Sequence, residues 1–376
     1  MKKIKLGMIG GSNGSFFGDA HRRAARICND FSVVGGVFSS QFNKTLELAE
    51  LEDFDKNRCY SDVQSLVTGE NSLAKEDRMQ VVSIVTPNNL HYQQAKILLE
   101  NNFHVICDKP VTITVAEAEE LGRIVARTGK VFCVTHTYTG YPMVRQIKEF
   151  IKQGVVGNIQ RIDVQYYQSW VNPLIHGGKS ELNIWKLDPE ITGISSCMGD
   201  IGVHVFNLVE YTTGIKVARV LADLNNYSPD IKLDLDGTVL LGFNENLRGV
   251  LRASQIANGE ENSIKLAIYG SKAGLKWQQE NPNRLSKIEF GKPEIIYKPG
   301  NKYNTEFAEA SHTMPFGHPE GIYEALANIY KGVAKSIRGI KTYDGEYPGI
   351  EDGIRGMKFI ESVVRSNQLG NQWVDL

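Results

Sequence analysis

Three side chains in this sequence are of the right type, and in the right neighbourhood, for acid–base chemistry on a small molecule. Lys109 lies in CDKPVT, directly after the apolar run from Phe103 to Ile106. Asp200 and His204 lie four residues apart in GDIGVHVFN, so they share one face if this stretch is helical. A lysine can stabilise a developing alkoxide, and an imidazole exchanges protons near neutral pH. The three residues predict proton transfer at a hydroxyl group.

Each of these residues also has a purely structural interpretation. Lys109 can be a solvated lysine beside a turn proline, and His204 can be a buried histidine bonded to Asp200 for packing. A zinc site is a further interpretation, but zinc requires at least three protein ligands. No HxH or HExxH sequence accompanies the pair, so we expect no metal.

The first third of the chain has the pattern of a doubly wound α/β domain. Short, continuous apolar runs alternate with helical patterns, which indicates a parallel sheet covered on both faces. Right-handed crossovers then produce a Rossmann arrangement. The predicted strands cover residues 4–9, 32–38, 80–86, 103–107 and 130–135. Lys109 therefore follows the carboxyl end of a buried strand, where ligands of such sheets bind.

The pattern changes after Thr135, and strand signals become dominant. We predict strands at 159–168, 218–225, 237–243, 249–255 and 263–269, with helices at 142–153, 320–338 and 351–366. Residues 1–137 are predicted to form an NAD(P)-binding Rossmann domain. Residues 138–376 are predicted to form an α+β domain with a largely antiparallel sheet, which binds substrate and forms the oligomer interface.

A glycine-rich loop, GGSNGSFFGDAH, connects the first predicted strand to the first helix. Such a turn lets the backbone approach a pyrophosphate, which the helix N-terminus then holds. The spacing departs from GxGxxG, and a flexible turn is the alternative interpretation. The candidate cofactor contacts in this region are Gly10, Gly11, Ser12, Asn13 and Phe17.

The end of the second strand, Val37-Phe38-Ser39-Ser40-Gln41, contains neither the ribose-binding acid typical of NAD sites nor an adjacent arginine. Ser39 and Ser40 are candidates for contact with a ribose hydroxyl or a phosphate. Because no cation follows directly, we expect NAD rather than NADP as the cofactor.

Two further strand ends contribute candidate cofactor contacts at the same sheet edge. The third strand ends in TPNNLH, where a strand stop and a helix cap are a sufficient structural explanation. We expect His91 on the helix surface, near the cofactor by location only. The contacts predicted from these two strand ends are Thr86, Pro87, Asn88, His91, Asp108 and Lys109.

The composition excludes several classes of protein. The chain has 376 residues, with 42 Lys plus Arg against 43 Asp plus Glu, so nothing favours nucleic acid or an anionic membrane. No apolar stretch approaches the length of a membrane span. Five scattered cysteines without a CxxC pair suit reduced thiols, and we expect a cytoplasmic protein.

Taken together, the glycine loop, TPNNLH, CDKP and DIGVH resemble the glucose–fructose oxidoreductase, inositol dehydrogenase and rhizopine-catabolism (Gfo/Idh/MocA) family over nearly the whole chain. CDKP stands where the family usually has EKP, and DIGVH matches its D-x-x-x-H motif. The stretches GSFFGDAHRRAA and GHPEGIYEA resemble the subgroup that includes levoglucosan dehydrogenase.

This resemblance implies that Lys109, Asp200 and His204 line the substrate site. Trp185-Lys186 stands where relatives often have Trp-Arg, so Lys186 is a candidate substrate contact, together with Tyr138. The implied activity is hydride transfer between NAD or NADP and a secondary alcohol of a sugar, sugar derivative or cyclitol. Two alternatives stay open: a non-catalytic dinucleotide sensor, and a hydrolase or lyase that oxidises its substrate transiently with tightly bound NAD.

We also expect a homodimer or homotetramer. The predicted second sheet has helices enough for only one face, and an uncovered face with the apolar residues of 239–243 and 250–256 would be a large apolar patch.

Overall fold

The structure is a computed structural model that describes residues 2–177, 184–243 and 246–376. The chain forms two compact units. The first contains Met1–Gly140 and Ile322–Ile354, and the second contains Tyr141–Gly321 and Arg355–Leu376.

The first unit is built on a five-stranded sheet in the order β2-β1-β3-β4-β5. All four strand pairs are parallel. The strands are β1 (Ile4–Gly10), β2 (Phe31–Val37), β3 (Val81–Val85), β4 (His104–Cys107) and β5 (Phe132–Val134). Their side chains are mostly buried, as expected where helices cover both faces of a sheet. The predicted Rossmann sheet is confirmed, with each strand within two residues of its predicted ends.

Five helices connect these strands. They are α1 (Phe16–Cys28), α2 (Phe42–Leu51), α3 (Val63–Ser72), α4 (Asn88–Glu100) and α5 (Val115–Thr128). The sequence did not predict α3, which has little apolar periodicity. A capping box stabilises the start of α3. The Asp62 carboxylate accepts a hydrogen bond from the Ser65 backbone N–H at 2.7 Å, and the Ser65 hydroxyl accepts one from the Asp62 backbone N–H at 3.2 Å.

A helix from the C-terminal part of the chain, α11 (Ile322–Ile337), belongs to the first unit. Its residues Tyr330 and Val333 lie in the same buried cluster as Leu6 of β1. The Tyr330 hydroxyl lies 2.8 Å from Nδ1 of His21 on α1. The predicted domain of residues 1–137 did not include α11, because the apolar face of a helix does not indicate which of two hydrophobic cores it packs against.

The second unit contains a nine-stranded sheet in the order β13-β12-β11-β10-β6-β9-β8-β7-β14. All pairs are antiparallel except β6 with β9. The strands are β6 (Ile159–Tyr167), β7 (Val217–Asn225), β8 (Asp236–Phe243), β9 (Arg248–Ser254), β10 (Ser263–Gly270), β11 (Gly274–Gln278), β12 (Leu285–Ile288), β13 (Ile295–Tyr297) and β14 (Val374–Asp375). The largely antiparallel sheet is as predicted, but the short strands β11 to β14 were not assigned from the sequence.

Helices pack against one face of this sheet, where α9 (Val203–Thr213) contacts β6 and α6 (Pro142–Lys152) contacts β11. The other helices of the second unit are α7 (Asn172–Ile175), α8 (Pro189–Thr192), α10 (Glu306–Glu309) and α12 (Ile350–Gln368), of which α12 contributes its first residues to the first unit. Within this layer the rings of Phe206 and Phe359 stack with centroids 4.4 Å apart. In the parts of the chain that the structure describes, the helices lack the length and apolarity to cross a bilayer.

The opposite face of the sheet has both polar and apolar side chains. Lys265, Lys276 and Arg252 point outward along it, and it contains a depression of 510 Å³. Of the apolar residues in 239–243 and 250–256 that motivated the expectation of an apolar patch, Val239 and Leu251 are fully buried on the helix-covered face. Leu240, which is 40% exposed, alternates with these residues and lies on the other face, where it is paired with Leu221 of β7 and Val250 of β9. The uncovered face therefore has an apolar part across β7, β8 and β9 beside its polar part.

Candidate active site

The loop after β1 has a backbone conformation suited to a dinucleotide. Gly10 and Gly11 have φ values of 82° and 75°, which residues with a Cβ rarely adopt. A Cβ on Gly11 would lie 2.7 Å from Cα of Gly18, and one on Gly10 would lie 2.8 Å from the carbonyl oxygen of Val85. Only glycine therefore permits this close packing of the loop against α1 and β3, which leaves backbone accessible to a phosphate.

The predicted contacts Ser12, Asn13 and Phe17 flank the start of α1. Ser12 and Asn13 lie in the loop, and Ser15 caps the helix by accepting from the Gly18 N–H at 3.2 Å. Phe17, in the first turn, is 39% exposed. The positive end of a helix dipole favours an anion, so the loop and helix start fit the pyrophosphate of a nicotinamide dinucleotide.

Arg22 supports this loop and was not identified from the sequence. Its Nη1 donates to the carbonyl oxygen of Gly11 at 2.7 Å, and its Nε donates to Glu52 at 3.1 Å. Arg22 is 3% exposed on the helix face that also carries Gly18 and Ala25. An arginine among small residues on a buried helix face is the signal that could have revealed it, since a buried guanidinium needs acceptors.

The end of β2 presents two serines with different surroundings. The Ser39 hydroxyl accepts from the Gln41 N–H at 3.1 Å, and the Ser39 N–H donates to the hydroxyl of Thr45 at 3.1 Å. Ser39 therefore stabilises the turn into α2, whereas Ser40 is exposed. Contact of either hydroxyl with a cofactor stays a prediction.

The end of β3 leads into α4 through Thr86 and Pro87, and the sequence prediction for His91 was wrong. His91 is not on the helix surface but fully buried. Its Nδ1 lies 2.8 Å from the carbonyl oxygen of Pro110, and its Nε2 lies 2.9 Å from that of Thr86. Burial lowers the pKa of this imidazole, against the opposing effect of both hydrogen bonds. His91 thus links the ends of β3 and β4, while Asn88 is 7% exposed in the first turn of α4.

The end of β4 holds Lys109 in a fixed turn. The Lys109–Pro110 peptide bond is cis. Oδ1 of Asp108 accepts from the Lys109 backbone N–H at 2.9 Å and from the Thr135 hydroxyl at 2.8 Å. Lys109 itself is 9% exposed. Asp108 thus connects the ends of β4 and β5 and fixes the backbone from which the Lys109 side chain extends.

Two buried residues follow β5: His136, and Tyr138, which was predicted to contact substrate. Burial lowers the pKa of His136 to about 3, and the nearby Lys109 ammonium lowers it as well, whereas Asp108 raises it. The ring is therefore neutral at physiological pH. Tyr138 is 5% exposed in the turn Thr137–Gly140, and its contact with substrate stays a prediction.

In the second unit, Asp200 and His204 lie where a π-helical turn, Met198–Gly202, continues into α9. Both are 8% exposed. Nζ of Lys186 lies 2.9 Å from each carboxylate oxygen of Asp200, so the structure brings together two of the predicted substrate contacts. The His204 ring lies beside Tyr166, with centroids 6.3 Å apart. This arrangement can present a carboxylate, an ammonium and an imidazole to hydroxyl groups.

Two residues missed by the sequence analysis support this cluster. The Asp234 carboxylate accepts from the backbone N–H groups of Ser196 and Met198 at 3.0 and 2.9 Å. Burial raises the pKa of Asp234, with these hydrogen bonds opposing. Gln255 donates from Nε2 to Asp200 at 3.0 Å. Neither residue belongs to a recognisable motif, so no sequence signal pointed to them.

Family profiles match both parts of the chain. Residues 4–136 match the oxidoreductase family with an NAD-binding Rossmann fold, and residues 144–276 match the GFO/IDH/MocA C-terminal domain.

Individual proteins are similar over the full length. The Bacillus subtilis oxidoreductase YfiI is 31% identical over 100% of this chain and 97% of its own. Levoglucosan dehydrogenase of Pseudarthrobacter phenanthrenivorans is 24% identical over 100% of this chain and 99% of its own. The crystal structure of an inositol dehydrogenase homologue from Azotobacter vinelandii, complexed with NADH and myo-inositol, has a TM-score of 0.90 and 28% identity. It covers 100% of this chain and 98% of its own.

Proposed function

The chain belongs to the Gfo/Idh/MocA oxidoreductase family with an NAD-binding Rossmann fold, and on that basis we propose that it is an NAD(P)-dependent dehydrogenase of a sugar, sugar derivative or cyclitol. The observation that carries the proposal is the buried Asp200–Lys186 ion pair one helical turn before His204. A carboxylate, an ammonium and an imidazole together can bind the hydroxyl groups of a polyol and exchange a proton with one of them.

Each residue has a distinct proposed role. A bound nicotinamide would supply the acceptor for a hydride from the carbinol carbon. Neutral His204 accepts the hydroxyl proton as general base. Lys109 donates to the same oxygen and stabilises its developing negative charge. Asp200 orients the substrate through a neighbouring hydroxyl, with Lys186 and Tyr138 as further contacts.

The substrate class follows from the chemistry of hydroxyl groups. Each hydroxyl both donates and accepts hydrogen bonds. A carboxylate paired with an ammonium offers an acceptor and a donor side by side, which suits vicinal hydroxyls. The inositol dehydrogenase homologue solved with myo-inositol and the levoglucosan dehydrogenase support this class.

For the nucleotide we propose NAD rather than NADP. The exposed end of β2 offers Ser40 and Gln41, which are neutral. Fluorescence titration with NADH and NADPH measures the preference directly. Binding of NADPH about tenfold tighter than NADH, a difference of about 1.4 kcal/mol, would reverse it.

The proposal is tested with a panel of sugars, anhydrosugars and cyclitols, each with NAD and NADP, by absorbance of the reduced nicotinamide. Stoichiometric NAD(P)H formed with one class of polyol supports it. Nucleotide binding without turnover of any polyol would indicate the alternative function of a non-catalytic dinucleotide sensor. Conversion of a glycoside with nucleotide retained and no net NAD(P)H would indicate transient oxidation by a hydrolase or lyase.

A further inference from the structure

The Asp200 carboxylate is contacted from two sides by residues of the second unit. Lys186 lies at the same distance, 2.9 Å, from both oxygens and so does not distinguish them. Gln255 donates only to Oδ2, at 3.0 Å. We propose that Gln255 is a positioning residue that fixes the orientation of Asp200, and with it the ion pair, toward one substrate hydroxyl. The inference rests on the proposed function.

The neighbours of Gln255 define the direction of its amide. An ionised carboxylate only accepts hydrogen bonds, so Nε2 must face Asp200. On the other side, Oε1 accepts from the Ser196 hydroxyl at 3.3 Å. Both Gln255 and Ser196 are fully buried. A flipped amide would place its oxygen against the carboxylate, so the arrangement permits one orientation only.

The backbone around Gln255 is equally constrained. Gln255 follows β9, and its N–H donates to the carbonyl oxygen of Leu235 at 2.8 Å. Its own carbonyl oxygen accepts from the Val171 N–H at 3.1 Å. Because Asp234 holds the backbone of Ser196, the loop before β8 fixes the main chain of the Asp200 segment. Gln255 fixes the Asp200 side chain.

Loss of this contact should affect substrate binding more than the chemical step. The Asp200 carboxylate could then turn about its side-chain bonds and exchange the positions of its two oxygens, while keeping its contact with Lys186. Gln255→Met keeps the volume and removes the donor. We expect KM for the polyol to rise by roughly tenfold, with a smaller change in kcat and no new pH dependence.

The sharper test is Gln255→Glu, which places two carboxyl groups in contact. At low pH a shared proton can bridge them, whereas at high pH both ionise and repel each other. We expect KM to rise by roughly tenfold or more between about pH 6 and about pH 9, relative to the unchanged protein. A purely structural role would lower the amount of active protein and leave the pH dependence of KM unchanged.

Gln146→Glu is the matched control. Gln146 is also fully buried, and its Oε1 accepts from the Thr305 N–H at 2.9 Å, which a carboxylate can still do. It belongs to no part of the proposed site. This variant should lose thermal stability, because a carboxylate is buried, but the pH dependence of its KM should match that of the unchanged protein.

The double variant Asp200→Asn, Gln255→Glu tests the contact without any substrate. It exchanges the two groups and conserves the charge beside Lys186, so an asparagine donates to a glutamate. The Tm of Gln255→Glu should fall as pH rises, and the double variant should recover that loss. Its KM should stay raised, because the carboxylate has moved to the end of β9.

The two proposals can fail separately. If no polyol is oxidised, the proposed function fails, but the Tm comparison still tests whether Gln255 contacts Asp200. Additive Tm losses in the double variant, or a Gln255→Glu enzyme with the KM pH dependence of the unchanged protein, would overturn the positioning role.

Discussion

Replacing Lys186 with methionine should destabilise the second unit, and the loss should depend on pH. Nζ of Lys186 lies 2.9 Å from both Asp200 oxygens, and the two side chains are 14% and 8% exposed. Breaking a fully buried ion pair leaves an uncompensated charge and costs roughly 3–5 kcal/mol. Because these side chains retain some exposure and Gln255 still donates to Asp200, we expect a loss of about 2 kcal/mol at neutral pH.

The sign of the pH dependence follows from the charge left behind. Without Lys186, Asp200 binds a proton more readily in the folded chain than in the unfolded chain. The folded state then holds more protons over the interval in which Asp200 titrates, so stability falls as pH rises through it. The difference from the unchanged protein should therefore be small near about pH 4 and complete near about pH 8.

Chemical unfolding of the variant and of the unchanged protein at these two pH values measures the effect. Lys216→Met is the control, since Lys216 is 60% exposed and bonds Glu210 at 2.8 Å, while Arg355 also holds Glu210. It should cost at most about 1 kcal/mol, independent of pH. A Lys186→Met loss equal at both pH values, or no larger than that of the control, would refute the account of the ion pair.

Four further predictions concern catalysis, the cofactor loop, acid stability and assembly. His204→Ala should lower kcat by roughly 10²–10⁴-fold and should not change nucleotide affinity. It should also remove the rise of the oxidation rate with pH near neutrality. His136 cannot cause that rise, because its pKa is lowered to about 3. Gly11→Ala should weaken NAD binding by tenfold or more in a fluorescence titration, because its Cβ would lie 2.7 Å from Gly18 Cα. Gly14→Ala, at a similar φ of 83° with nothing within 4 Å of the added Cβ, should have a much smaller effect. Thermal stability should fall as pH drops below about 6.5. The pKa of His136 is lowered in the folded chain, so below this pH the unfolded chain binds a proton that the folded chain does not bind. A Tm that stays constant down to about pH 4 would contradict this prediction. Light scattering should give a homodimer or homotetramer, and a stable monomer at micromolar concentration would contradict it.

Much of the first unit could be predicted from the sequence because its strands are short, continuous apolar runs. The position of Lys109 at the end of β4 follows directly from such a run. The four-residue spacing of Asp200 and His204 likewise predicts a shared helical face. These features are local, and local periodicity determines them.

The contacts that complete the site are not local. Lys186 precedes Asp200 by 14 residues without a regular pattern between them, and Gln255 follows it by 55. His91 was assigned to the helix surface because the sequence does not show that the ends of β3 and β4 enclose it. Each depends on tertiary packing that brings separate loops together, which periodicity cannot indicate.

The transfer of a labelled hydrogen tests the central claim most directly. The polyol that gives the highest rate in the panel is prepared with deuterium at its carbinol carbons and incubated with NAD or NADP. The account predicts that deuterium is found at C4 of the reduced nicotinamide by NMR, in equal amount to the ketone or lactone formed. A product formed while the nucleotide stays oxidised, with no deuterium retained on it, would contradict a dehydrogenase.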